Sequence, residues 1–212
     1  MPFAVFILFL ALEDHAGAWL GEAFDARWLY PIKTALVAAA LVALARNYGE
    51  LREPPGNRTW LWLGAPLVGA LVFALWIHLD FAWLTLGEPS GFDPRDASGN
   101  TDWGLAAFRL AGAALVVPLM EELFWRSFLM RWIDRHAFLS LSPAAVSLKA
   151  MLVSSLVFGF AHTLWFAGFA AGLAYAWLYR ASGSLWTAIV AHAVTNAMLG
   201  IWVLQTGNWQ FW

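Results

Sequence analysis

Six polar side chains in an otherwise apolar sequence have the residue types that peptide hydrolysis requires. They are two glutamates, an arginine, two histidines and an asparagine: Glu121, Glu122, Arg126, His162, His192 and Asn196. A carboxylate in an apolar cavity is a competent general base for water, and a histidine can share that water or protonate a leaving amine. A histidine and an asparagine together can donate hydrogen bonds to a tetrahedral oxyanion.

The spacing of these residues assigns them to helix faces. Glu122 and Arg126 are four residues apart, so they share a face and can form an ion pair. Glu121 points about 100° away around the same helix, so it lies outside this ion pair and is free to take part in chemistry. His192 and Asn196 are also four residues apart and point the same way.

The composition indicates that these residues belong to a polytopic membrane protein. The chain has 212 residues, of which 61% are hydrophobic and 12% charged, whereas soluble domains are about 45–50% apolar and about 25% charged. The net charge of −2 and the lack of a basic stretch argue against a nucleic-acid partner. With no cysteine, disulfides, thiol catalysis and cysteine-ligated metals are excluded.

The apolar segments predict an all-α transmembrane bundle of about seven helices, forming one integral-membrane domain over residues 1–212. A membrane-spanning helix requires about 20 residues. The predicted spans are 2–12 with help from the stretch to 20, 28–45, 59–79, 104–120 running on toward 132, 146–165, 166–179 and 185–204. The stretches 47–58, 86–103 and 180–184 are rich in turn-forming residues and are predicted as loops.

The distribution of basic residues predicts the orientation of this bundle. With a cytoplasmic N-terminus, seven basic residues fall on the cytoplasmic side: Arg46, Arg52, Arg58, Arg131, Arg135, Lys149 and Arg180. Only Arg27 and Arg95 fall in loops on the other side, and Lys33 and Arg109 lie near outer helix ends, where snorkelling explains them. This bias requires all seven helices.

The polar residues are predicted to lie at similar depths. At about 1.5 Å per helical residue, Glu121 lies about 15 Å from the cytoplasmic end of its helix and His162 about 20 Å. His192 and Asn196 lie about 12 and 18 Å from it. Because three helices bring polar groups to one level, we expect a shared, water-accessible cavity between helices 4, 5 and 7.

Other interpretations of the same residues stay open. Each polar pair alone could be a structural ion pair or an interhelical hydrogen bond. Two histidines with glutamates could hold zinc, although no HExxH motif occurs. Ser154 and Ser155 are weaker candidates for serine chemistry, because neither lies in a nucleophile elbow. A small transporter with a carboxylate proton relay is a further possibility, but no inverted repeat supports it.

The GFAAG stretch, 168–172, is typical of close helix packing.

Three motifs give the chain a family resemblance. EELFWR matches the pattern EExxxR, FGFAH matches FxxxH and HAVTN matches HxxxN, in this order and on separate helices. The chain thus resembles the CAAX-processing and bacteriocin-processing (CPBP) intramembrane endopeptidases, also called the Abi or type II CAAX prenyl endopeptidase family, over roughly residues 104 to 200. It is also similar to the CAAX-protease-related proteins associated with bacterial PEP-CTERM sorting systems.

The resemblance implies a membrane-embedded, metal-free glutamate protease without a cofactor, whose cavity opens toward the cytosol. Glu121 would act with His162 on a water molecule, and His192 and Asn196 would form the oxyanion site. Glu122 and Arg126 would support the geometry of this site. The expected substrate is a membrane-associated protein or peptide, for example with a lipid-modified or sorting-signal C-terminus.

The expected location is the bacterial inner membrane, with a cytoplasmic N-terminus. The alternative function is a non-proteolytic membrane scaffold or immunity protein that binds peptides in the same cavity.

Overall fold

The described part of the protein is an all-helical bundle with seven helices longer than ten residues. The computed structural model describes residues 2–20, 24–53, 59–87 and 91–212. Within these ranges the helices longer than ten residues are α1 (Pro2–Leu20), α2 (Leu29–Ala43), α3 (Thr59–His78), α4 (Trp103–Asp134), α5 (Leu148–Phe160), α6 (Trp165–Ser182) and α7 (Leu185–Thr206). The prediction of an all-α bundle of seven helices is therefore confirmed. Arg58, assigned above to the cytoplasmic side, lies outside the described residues.

Several of these helices have the length and composition of membrane spans. Four apolar stretches are long enough to cross a bilayer: Ala26–Ala43, Trp60–His78, Trp103–Asp134 and Leu185–Thr206. On α3, the side chains of Leu63, Leu67 and Leu71 are 74%, 69% and 66% exposed at four-residue intervals. Such a stripe of exposed leucine on one helix face is suited to contact with lipid.

Helix α4 carries three of the six polar motif residues, and its hydrogen-bond register is shifted by a proline. The segment Gly112–Val116 is a π-helix, in which the Val117 N–H donates to the Gly112 carbonyl rather than to that of Ala113. The next possible donor to Ala113 would be residue 118, but Pro118 has no N–H. The Ala113 carbonyl is therefore left without a donor from its own helix.

Helices α5 and α6 form a tight hairpin through small residues. A Cβ atom added at Gly172 would lie 2.9 Å from the Cβ and 3.0 Å from the Cα of Ser155, and one added at Gly168 would lie 3.1 Å from the Cα of Gly159. These distances leave no room for a side chain. The interpretation of 168–172 as a packing motif agrees with these contacts.

Polar contacts hold together the end of the bundle that carries most of the basic residues, called here the basic end (residues 44–53, 131–149 and 180–184). The Glu50 carboxylate accepts hydrogen bonds from the Tyr179 hydroxyl at 2.5 Å, from Arg131 Nη2 at 3.0 Å and from the Ser127 hydroxyl. The Trp186 indole donates to the Leu51 carbonyl at 3.1 Å. The loop after α2 is thus fastened to α4, α6 and α7.

The other end of the bundle is called here the cavity end (residues 24–28, 79–87, 91–102, 161–164 and 207–212). Arg27 Nη1 donates to the Arg95 carbonyl at 2.6 Å, and the Arg95 guanidinium lies 5.3 Å from the Trp209 ring. The Leu86 N–H donates to the Thr163 carbonyl at 2.8 Å, which joins the loop before α4 to the turn between α5 and α6.

We expect Gly172→Ala to lower the stability of the bundle by about 1–3 kcal/mol, because the added methyl group meets backbone and Cβ atoms of Ser155 that cannot rotate away. The measurement is the thermal unfolding midpoint in detergent. Gly64→Ala on α3 is the matched control, since nothing lies within 4 Å of its added Cβ, and alanine is favoured over glycine in a helix by about 1 kcal/mol. Equal midpoints for the two variants would contradict the tight contact.

Candidate active site

Glu121 of α4 and the two motif residues of α7 meet His162 in one cavity inside the bundle, whereas Glu122 and Arg126 lie behind its wall. Its volume is about 380 Å³, and Glu121, His162, His192 and Asn196 all line it. The cavity is otherwise lined largely by apolar and aromatic side chains, among them Trp76 and Phe158. Such a site surrounds a few convergent polar groups with an apolar wall, as ligand and active sites commonly do.

Glu122 is the most buried member of the motif set, and both of its oxygens face a partner. The residue is 0% exposed. Its Oε2 lies 3.1 Å from Arg126 Nε, and its Oε1 accepts a hydrogen bond from His192 Nδ1 at 2.8 Å. Because a carboxylate paired with a guanidinium is ionised and only accepts hydrogen bonds, His192 carries a proton on Nδ1.

The sequence analysis paired Glu122 with Arg126, and the structure adds His192 as a second partner. The spacing and the resemblance did not predict this contact, since they paired Glu122 with Arg126 alone and assigned His192 to the oxyanion site. The physical reason is that a carboxylate has two oxygens and a four-residue ion pair on one helix occupies only one of them. The second oxygen is satisfied by α7, a contact that spacing along the sequence does not reveal.

Arg126 links α4 to α5 and α6. Its Nη2 donates to the Gly172 carbonyl at 3.2 Å, and its guanidinium lies 4.5 Å from the Phe158 ring and 5.5 Å from the Tyr175 ring. A guanidinium stacks well on aromatic faces while keeping its edge for carboxylates. Arg126 is 2% exposed, so its role is to hold Glu122 and the surrounding helices in place.

Tyr175 and Thr195, which the sequence analysis did not single out, orient His192. The imidazole ring stacks on Tyr175 with centroids 4.9 Å apart and an interplanar angle of 17°. The Tyr175 hydroxyl donates to Thr195 Oγ1 at 2.8 Å, and Thr195 Oγ1 lies 2.9 Å from the Gly69 carbonyl. The sequence feature that could have indicated this role is the position of Thr195 inside the HAVTN motif.

Glu121 is buried but has one oxygen that no protein group satisfies. It is 8% exposed, and its Oε2 is buried without a hydrogen-bond partner among the described residues. A buried polar atom without a partner is costly, and such atoms often mark reactive positions. The carboxylate therefore differs from that of Glu122 and remains available to a molecule in the cavity.

His162 lies in the turn between α5 and α6, not inside a helix. The predicted span 146–165 was too long, because α5 ends at Phe160 and α6 begins at Trp165. The turn was not predicted because residues 161–164 contain no glycine, proline or charged residue. The Nδ1 of His162 donates to the Phe158 carbonyl at 2.7 Å. In the neutral ring Nε2 is then the acceptor.

Two aromatic rings surround the His162 imidazole. The Phe158 ring lies at a centroid distance of 4.6 Å and Trp76 packs edge-on at 5.5 Å. His162 thus has a fixed ring position and a fixed tautomer, with one nitrogen free to accept a proton.

Asn196 supplies the hydrogen bond that the Ala113 carbonyl lacks within α4 because of Pro118. Its Nδ2 donates to the Ala113 carbonyl at 2.8 Å. The amide nitrogen carries two hydrogens, so one N–H is left for a molecule in the cavity. The π-helix thus orients Asn196.

The cavity reaches the cavity end of the bundle. Arg109, Ala113, Val117 and Glu121 line it at four-residue intervals along one face of α4, a path of about 18 Å. Its lining also includes Gly91 and the segment 210–212, but no described residue of the basic end. Two expectations from the sequence therefore conflict: a cavity open to the cytosol and a cytoplasmic basic end are incompatible in this bundle.

The described residues form no site that matches either the zinc or the serine alternative. Within the ranges that the structure describes, no three histidine, aspartate or glutamate side chains form a group that could hold a metal ion. Neither Ser154 nor Ser155 lines the cavity. Ser154 donates to the Met151 carbonyl, and Ser155 packs against Gly172.

Comparison with known proteins agrees with the motif resemblance. Residues 103–198 match the family model described as type II CAAX prenyl endopeptidase Rce1-like. No curated protein and no solved structure matches the chain. The matched segment contains α4 to α6 and most of α7, and with them all six motif residues. The CPBP resemblance is therefore confirmed over residues 103–198, the part of the chain that matches the Rce1-like type II CAAX prenyl endopeptidase model.

Proposed function

We propose that the protein is an intramembrane endopeptidase that hydrolyses a peptide bond with a water molecule activated by Glu121. The observation that carries this proposal is the buried, unpartnered Glu121 oxygen in a cavity that also holds His162. A general base must have a free lone pair within reach of the water. Glu121 has such a lone pair and lines the cavity, whereas Glu122 does not line it and lies beside Arg126 and His192.

In the proposed reaction the water oxygen attacks the carbonyl carbon of the scissile bond, and Glu121 takes the proton that the water loses. His162, whose Nε2 is an acceptor, hydrogen-bonds the water, then receives that proton from Glu121 and delivers it to the leaving amine. The intermediate collapses when the C–N bond breaks. One product then carries a new carboxylate and the other a new amine.

Asn196 and His192 stabilise the oxyanion in this proposal. Asn196 contributes the N–H that does not bond to Ala113. His192 donates through Nε2 only when its ring is doubly protonated, because Nδ1 already carries a hydrogen toward Glu122. The Glu122 carboxylate supports that charged form as its counter-ion. This assigns Glu122 and Arg126 a positioning role.

We propose further that the basic end faces the cytoplasm of a bacterial cell and that the cavity faces the opposite side of the membrane. The positive-inside bias of six described basic residues supports the first part. The cavity lining supports the second, since it runs from Glu121 to the cavity end. A membrane-associated protein or peptide would then reach the site from the non-cytoplasmic side.

Glu121→Gln is expected to lower kcat by at least a hundredfold, on the order of the contribution of a general base. Asn196→Ala should lower kcat by about 10²-fold through loss of an oxyanion donor. The measurement is cleavage of peptides in proteoliposomes. Glu53→Gln makes the same isosteric change at an exposed glutamate of the basic end and should leave the rate unchanged. Full activity of Glu121→Gln would refute the mechanism, and peptide binding without cleavage by the parent protein would favour the scaffold.

Chelation is expected to leave cleavage intact, because the described site offers no ligand set for a metal. The proteoliposome assay is repeated after dialysis against 1,10-phenanthroline. Inhibition that added zinc reverses would contradict a reaction driven by Glu121 and His162 alone, and would assign the water to a metal.

Single cysteines provide a test of the orientation, since the chain contains no cysteine. Ser98 and Gln210 are exposed at the cavity end, and Ser140 is exposed at the basic end. In intact bacterial cells a membrane-impermeant maleimide should label Ser98→Cys and Gln210→Cys but not Ser140→Cys. Ser140→Cys should react only after lysis. The reverse pattern would restore a cavity that opens to the cytosol.

A further inference from the structure

Arg109 lies in the wall of the cavity at the end away from Glu121. Its guanidinium stacks 4.1 Å from the Tyr30 ring and 5.4 Å from the Phe92 ring. The residue is half-buried, and its Nε is buried without a hydrogen-bond partner among the described residues. Snorkelling to the interface, predicted from its place near a helix end, does not account for a guanidinium that lines the cavity between two aromatic rings.

The acidic residues near the start of α4 do not neutralise Arg109. Asp25 and Asp93 each pair with the arginine two residues further along the chain, at 2.6 and 2.5 Å. Those hydrogen bonds hold the pKa of both carboxyls below the ordinary value, so both are anions that already have a cationic partner. Asp102 caps α4 by accepting from the Leu105 N–H at 3.0 Å. No ion pair to Arg109 forms within the described part of the chain.

An unpaired cation beside a membrane-embedded cavity calls for an anionic ligand. A charge removed from water is costly unless a partner replaces its hydration. The planar guanidinium binds carboxylates through two parallel hydrogen bonds, and stacking on aromatic rings leaves its edge free to do so. The chemistry of Arg109 therefore selects a carboxylate in the cavity.

The distance to Glu121 defines where that carboxylate lies on a substrate. Arg109 and Glu121 are twelve residues apart on one face of α4, about 18 Å along the helix. An extended peptide covers about 3.3–3.6 Å per residue. A peptide with its scissile bond at Glu121 thus reaches Arg109 after about five residues.

We propose that Arg109 is a specificity residue that binds a carboxylate of the peptide substrate about five residues from the scissile bond. The carboxylate is either the C-terminus of the peptide or an acidic side chain. This inference rests on the proposed endopeptidase function, because it places the scissile bond at Glu121.

The test uses a library of fluorophore-quenched, membrane-anchored peptides in proteoliposomes. The peptides that are cleaved best are resynthesised with a C-terminal amide and, separately, with each acidic residue changed to its amide. Arg109→Gln should raise KM for the carboxylate peptide about ten- to a hundredfold, as expected for loss of a hydrogen-bonded charge pair. The kcat should change little, and the amide peptide should have the same KM with both proteins.

Arg95→Gln is the matched control, because Arg95 is also an arginine of the cavity end against an aromatic ring but is exposed and paired with Asp93. It should not change KM. Arg109→Lys keeps the charge but loses the planar fork, so its KM should fall between those of the parent and Arg109→Gln.

Binding of the same peptides to a Glu121→Gln background, followed by fluorescence anisotropy, separates the two proposals. If Arg109→Gln weakens binding of acid and amide peptides equally, or if the best peptides carry no carboxylate near five residues from the cut, the role of Arg109 is wrong while the protease stands. If Glu121→Gln cleaves normally, the proposed function fails instead. Weaker binding of the carboxylate peptide alone supports the role of Arg109 in either case.

Discussion

The ionised carboxylate of Glu122, fully enclosed in an apolar bundle, is the constraint on which the site depends. A buried charge is stable only when its partners are fixed in place. One oxygen faces Arg126 and the other accepts from His192, and Arg126 in turn bonds to the Gly172 carbonyl. Helices α4, α6 and α7 are therefore held at one point by charge, and any shift of one helix would leave a charge uncompensated.

Pro118 adds a second constraint on the same helix. Because it lacks an N–H, the helix before it shifts to the π register and the Ala113 carbonyl needs a donor from elsewhere. Asn196 supplies that donor. The proline, three residues before Glu121, thus fixes the rotation of the glutamate relative to Ala113, and it ties the asparagine of α7 to the same helix. The backbone hydrogen bond that α4 lacks is thus replaced by a side-chain hydrogen bond that joins α4 to α7 at the site.

The sequence predicted the helices well because their length and apolarity are set by the bilayer, which acts on each segment separately. It also predicted the pairing of Glu122 with Arg126, since four residues define a face within one helix. It missed the bond from His192 to Glu122, because the two residues are 70 positions apart and meet only through packing. It placed His162 inside a helix, because the turn that holds it, residues 161–164, contains no glycine, proline or charged residue.

In this structure two signals in the sequence, the charge bias of the loops and the family motifs, give opposite predictions for the side of the membrane on which the cavity opens. Charge bias concerns only the loops, whereas the motifs concern only the helix interiors. At the basic end, Glu50 fastens the loop after α2 to Tyr179 and Arg131, and no described residue of this end lines the cavity. At the cavity end, the face of α4 from Glu121 to Arg109 lines open volume. In the proposed function a peptide with its scissile bond at Glu121 would extend past Arg109, so the geometry that we propose for the side of entry would also determine which substrate charge is recognised.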